Sequence, residues 1–237
     1  MDRRRFLATA AVATAGLAGA AGCLDGGTDP ERPDRPSDAL TFSVERAEPF
    51  TEDATAVLTL RVENEGDHEL TATSTQGPVI PFAERIGTTA SGVERLVCHP
   101  VGADDRWLRV DDNELAPTAE VLPASAENGC WRISEAFDGI AVPPGQTGRE
   151  IGAGETLDGA YTLYHLHDCI PGTYTFSQAV TLAGAESGGA DEDAAGDPAV
   201  EPEVGVPLRL QVAVDEAGGV EIEHFGIAPG YEPPADD

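Results

Sequence analysis

The sequence predicts an all-β protein, an antiparallel sandwich of short strands. Three observations predict it. Apolar residues alternate with polar ones in stretch after stretch from Leu40 onward, the mark of half-buried strands. Glycine, proline and asparagine clusters break those stretches at short intervals, as turns do. No long segment carries a helical period, so the chain belongs among the all-β layer architectures.

Leu40, Phe42 and Val44 form the first alternating set, and Leu58, Leu60 and Val62 the second, which ends at the turn Asn64-Glu65-Gly66-Asp67. Leu70 and Ala72 continue into an expected return strand. Tyr174, Phe176, Val180 and Leu182 fall on one face, with Thr173, Thr175, Ser177 and Thr181 on the other. Val206, Leu208, Leu210, Val212 and Val214 repeat the pattern before Ala217-Gly218-Gly219 turns the chain into Val220 and Ile222. One body over residues 39–228 is expected, with a tail at 229–237; its size suits a single all-β unit. Residues 186–203 are acidic and of low complexity, and read as a disordered loop. Residues 102–128 form a long irregular insertion with Trp107, Leu108 and Val110 as anchors. It is expected to decorate one end of the sandwich, and loops of that length are usually functional or disordered.

Ahead of this body, Phe6 to Gly22 is too short and too rich in alanine, threonine and glycine to span a membrane. A basic start, a weak apolar middle and small residues before a cut suit a signal peptide over residues 1–22. Arg3, Arg4, Phe6 and Leu7 resemble the twin-arginine export signal, which implies export of an already folded chain. Ala20-Ala21-Gly22-Cys23 resembles a lipobox, and the resemblance implies that the Cys23 sulfur carries a two-chain lipid, enough for stable anchoring. A plain signal-peptidase cut after an Ala-x-Ala-like site is the alternative. Residues 23–38 would then be the lipidated cysteine and a disordered tether, whose fifteen residues after Cys23 reach about 20 Å.

The chain carries 43 acidic residues against 14 basic ones, a formal charge of −29, and every basic residue is arginine. So acidic a body repels itself in dilute buffer, whereas molar salt shortens the screening length to about 3 Å. An acidic surface without lysine resembles the secreted lipoproteins of extremely halophilic archaea. Nucleic acid is excluded as a partner by like-charge repulsion. Val142-Pro143-Pro144-Gly145, Tyr161-Thr162-Leu163-Tyr164 and Pro171-Gly172-Thr173-Tyr174-Thr175-Phe176 are similar to the late strands of immunoglobulin-like surface domains. The likeness implies an immunoglobulin-like topology and leaves function open.

Beyond Cys23 the cysteines are Cys98, Cys130 and Cys169. Outside the cell one disulfide is permitted, and Cys130–Cys169 is the expected pair, because both sit where strands meet turns; sequence alone leaves the pairing open. Cys98 is expected to be a small buried hydrophobe. In His165-Leu166-His167-Asp168-Cys169, residues two apart would share one face of a strand. His165, His167 and Cys169 are thus a candidate copper or zinc set. The segment also resembles blue-copper proteins, but Thr173 and Tyr174 stand where that family has its next ligands, and the only methionine is Met1. No nucleophile elbow, phosphate-cradling loop or paired-histidine helix motif is present. No catalytic residue and no cofactor is expected.

Taken together these features predict a non-enzymatic lipoprotein on the outer face of the cell membrane. It would bind an unknown protein or small molecule, or serve the envelope. Two alternatives stand beside it: a metal-binding or electron-transfer domain using His165, His167 and Cys169, and an inhibitor or chaperone-like partner of exported proteins.

Overall fold

The structure, a computed structural model, describes residues 35–74, 86–101, 108–110, 115–116, 121–133, 137–140, 147–184 and 204–231. The chain divides into units 1–31 and 32–237, and every described residue belongs to the second. Arg3, Arg4, Phe6, Leu7, Cys23, Trp107 and the acidic loop 186–203 lie outside the described residues.

The protein is built almost wholly of antiparallel β-structure. After one 3₁₀ turn at Pro36–Ala39, the strands are β1 (Leu40–Glu48), β2 (Val57–Asn64), β3 (Leu70–Ser74), β4 (Ile86–Thr88) and β5 (Arg95–Pro100). Then come β6 (Leu108–Val110), β7 (Leu115–Ala116), β8 (Phe137–Ile140), β9 (Thr147–Ile151) and β10 (Thr156–His165). The series ends with β11 (Gly172–Gly184), β12 (Val204–Val214) and β13 (Val220–Ile227). Among the described residues no helix is long and apolar enough to cross a membrane.

The main sheet runs β1-β2-β10-β5-β4-β11-β12-β13, with β3 pairing to β11 and carrying β9 on its far side. It folds over on itself in a sandwich-like manner. β1 and β13, the two ends of the path, meet through the edge-to-face rings of Phe42 and Phe225, 5.4 Å apart. A bulge at Glu45 bends β1 on the way, as extra residues in a strand do. The insertion contributes β6 and β7, which form a small separate sheet with β8.

The alternating sequence explains the core. Leu58, Leu60 and Val62 of β2 are buried, as are Tyr174, Phe176, Val180 and Leu182 of β11 and Val206, Leu208, Leu210, Val212 and Val214 of β12. Full burial of each such side chain contributes about 1.5–3 kcal/mol. Packing is close enough at one point to require glycine. A Cβ on Gly87 would lie 2.6 Å from the buried Phe176 ring.

Residues Leu70 and Ala72 do form a strand, but β3 is not the return partner of β2. β2 pairs with β1 and β10, while β3 crosses to β11 and β9. Asn64 makes the crossing possible. Its buried Nδ2 donates to the carbonyls of His68, Ile151 and Gly152 at 2.8, 2.9 and 3.2 Å. Its Oδ1 accepts the Gly66 N–H at 3.0 Å. One amide therefore satisfies backbone groups on the β2–β3 turn and on the end of β9.

Candidate functional site

The segment joining β10 to β11 gathers the residues that sequence singled out. Cys130 and Cys169 are joined by a disulfide, with Cα atoms 5.7 Å apart, inside the range a relaxed bridge needs. Cys130 reaches it through a tight reversal. Glu127 and Cys130 exchange both backbone hydrogen bonds, and Asn128 and Gly129 between them both have positive φ, 54° and 79°. Asparagine followed by glycine is the pair that such a two-residue turn favours. Cys98 is a fully buried thiol on β5, outside the disulfide.

The expected metal face does not form. β10 ends at His165, and the chain bends through Leu166–Asp168, so the two-residue alternation stops there. His165 is buried, 3% exposed, while His167 is exposed. The Cys169 sulfur is committed to Cys130, which removes the thiolate a soft metal would use. Among the described residues no group of three or more histidines, cysteines or carboxylates is placed to hold a metal ion.

His165 is instead fixed inside the fold. Its N–H donates to the Trp131 carbonyl and its carbonyl accepts from the Ile133 N–H, each at 2.9 Å. On its other side it stands opposite Leu96 of β5. Its ring lies 5.2 Å from that of Phe50 and 6.0 Å, edge-on, from that of Tyr174. Burial pushes its pKa from the ordinary 6.5 down to about 4, so the imidazole is neutral near pH 7. Its Nδ1 is sealed from water and has no hydrogen-bond partner among the described residues. An orphan polar atom of this kind costs about 1–3 kcal/mol, and such exceptions ask for an explanation.

His165 forms part of the wall of a half-open cleft of about 260 Å³. Phe50, Trp131 and Val214 supply its apolar wall, and the disulfide enters through Cys169. Trp131 is 6% exposed and its indole N–H donates to the Thr51 carbonyl at 2.7 Å, which seats it as a core anchor. At the mouth stand Glu52, Asp215 and Glu216, all exposed, with no arginine among the lining residues. Asp215 also shapes the β12–β13 turn. Its Oδ1 accepts the N–H groups of Ala217 and Gly219 at 2.8 and 2.7 Å. The glycine between them, Gly218, accepts the Phe50 N–H at its carbonyl, 2.9 Å away, which holds the turn against the cleft wall.

Sequence reading missed the cleft because its residues come from four distant segments, around residues 50, 130, 170 and 215. The one available signal was the sequence of turns flanking both cysteines. No protein-family model matches the chain, and no curated protein matches it. Fold and site define a class and no more: a disulfide-containing antiparallel β-domain of sandwich-like form, with an acid-rimmed cleft beside its disulfide.

Proposed function

We propose that this chain is a lipid-anchored, non-catalytic binding module displayed on the outer face of the cell membrane, exported by the twin-arginine route. The observation that carries the binding role is the cleft: an apolar wall of Phe50, Trp131 and Val214 with exposed carboxylates at its mouth. A pocket with a few convergent polar groups is the usual form of a ligand site. A histidine that titrates near pH 4 and packs on rings rather than on a carboxylate or nucleophile is a poor general base at neutral pH. The anchor rests on the lipobox-like Cys23 and the tether behind it, and the halophilic setting on the lysine-free acidic composition. An immunoglobulin-like lineage is supported by Tyr174, whose hydroxyl donates to the Ile170 carbonyl four residues upstream, as in the tyrosine corner of such domains.

Thermal unfolding at molar salt, in the presence of a panel of small metabolites, tests the binding role. Some member of the panel should raise the midpoint of the wild-type protein and leave Ala217→Trp, which fills the mouth of the cleft, unmoved. A panel with no effect, or an equal response from the variant, contradicts the proposal.

A further inference from the structure

Two broad outward faces of the main sheet differ in charge. On β2 and β10 the outward face carries carboxylates, Glu63 and Asp158 among them, and its arginine is fully engaged. Arg61 stands opposite Asp158 and pairs with it and with Glu45 at 2.8 and 2.7 Å. β11 and β12 likewise turn every second residue outward. There the six outward residues of β11 from Thr173 to Ala183 are threonine, serine or alanine. The five of β12 from Gly205 to Ala213 hold no carboxylate and a single charge, Arg209. Thr71 and Thr73 of β3, opposite Ala183 and Thr181, extend the same face. Ser177 and Ala179 near its centre are exposed, and Arg209 makes no ion pair among the described residues. A chain with 43 acidic and 14 basic residues thus keeps one open sheet face clear of negative charge.

We propose that this face joins two copies of the chain into a dimer. Charge selects the occupant. Two bodies this acidic repel wherever their carboxylates meet, and this face meets its own image without any. Symmetric dimers set the same patch of both copies together. With the two-fold axis along β11, Ala179 lies near its own counterpart. The two Arg209 side chains then fall on opposite sides of the axis, each over the β3 threonines of the other copy. By strand geometry the face is about 33 Å long and about 15 Å wide. Two copies would bury roughly 1,000 Å², the low end for a specific interface. The dimer is accordingly weak, with a dissociation constant of about 10–100 µM.

Sedimentation equilibrium at 2 M NaCl tests this on the full-length chain carrying Cys23→Ser, so that no lipid drives association. The mass should rise from monomer toward dimer between about 1 µM and about 0.3 mM protein. Ala179→Glu and, separately, Ser177→Glu should each weaken the dimer about tenfold or more, because each sets like charges against one another at the centre of the face. Both side chains are exposed, so the thermal midpoint should stay close to that of the parent. Thr59→Glu, the same change on the outward face of β2, should leave the dimer intact. A chain that stays monomeric throughout overturns the proposal. So does a dimer indifferent to both central substitutions, or one weakened equally by Thr59→Glu. Ligand binding in the cleft is read separately by the thermal-shift panel and stands or falls on its own.

Discussion

The rings of His165 and Phe50 lie 5.2 Å apart, tilted by 36°, and the burial of the imidazole at this contact predicts a domain sensitive to acid. Burial holds the His165 pKa at about 4, below the 6.5 it has when solvated. The unfolded chain therefore takes up the proton first as pH falls. The stability contributed by the neutral ring is fully present above about pH 6.5 and is lost on the way down to about pH 4. It amounts to about 3 kcal/mol over that window. Asp158, held by Arg61, and Glu94, which accepts from Ser91 and Thr89, also have lowered pKa values, so their contribution is lost only as pH falls through the ordinary carboxylate range and below. Unfolding midpoints at pH 6.5 and 4.5 should drop steeply for the wild type and much less for His165→Phe. Equal drops would contradict the assignment.

The disulfide closes a stretch of chain between residues 39 apart in sequence. In the chain-entropy account a loop of that size is worth about 4 kcal/mol. Cys130→Ala with Cys169→Ala should lower the guanidinium midpoint accordingly and loosen the cleft wall, so that the Trp131 emission moves to the red. An unchanged midpoint would mean that the native contacts alone hold the segment.

Asn64 is a buried polar side chain with four hydrogen bonds at stake. Replacing it with leucine removes four hydrogen bonds, to the carbonyls of His68, Ile151 and Gly152 and from the N–H of Gly66, although the Gly152 carbonyl keeps the Glu155 N–H. The loss should be about 2–4 kcal/mol. Asn64→Asp should cost at least as much, because an oxygen would then face three carbonyl oxygens. Denaturant titration reads both; a variant within about 0.5 kcal/mol of the wild type would refute the role given to the amide.

What the sequence made legible follows from burial geometry. β2, β11 and β12 have one face in the core and one toward solvent, so their residues alternate and their existence could be read directly. Gln178 is the exception on β11, a polar side chain buried among the apolar ones. β5 was invisible because Leu96, Val97, Cys98 and His99 are all buried in succession; covered on both sides, the strand shows no period. β9 is a polar edge strand in which Ile151 is the buried apolar residue. The partner of β3 lay in long-range pairing, which no local pattern encodes. His165 misled for a related reason: it looked like one member of a row sharing a strand face with His167 and Cys169, but the chain leaves the strand immediately after it. The turn residues around Cys130 and Cys169 were readable because asparagine, glycine and proline report on local backbone.

The proposed anchoring rests on one sulfur, that of Cys23. Mass spectrometry of the N-terminal peptide, from protein extracted out of membranes, examines it directly. The account predicts a chain beginning at Cys23 with a two-chain lipid in thioether linkage, and release of Cys23→Ser into the medium. A chain that still begins at Met1 with an unmodified Cys23 thiol would contradict it.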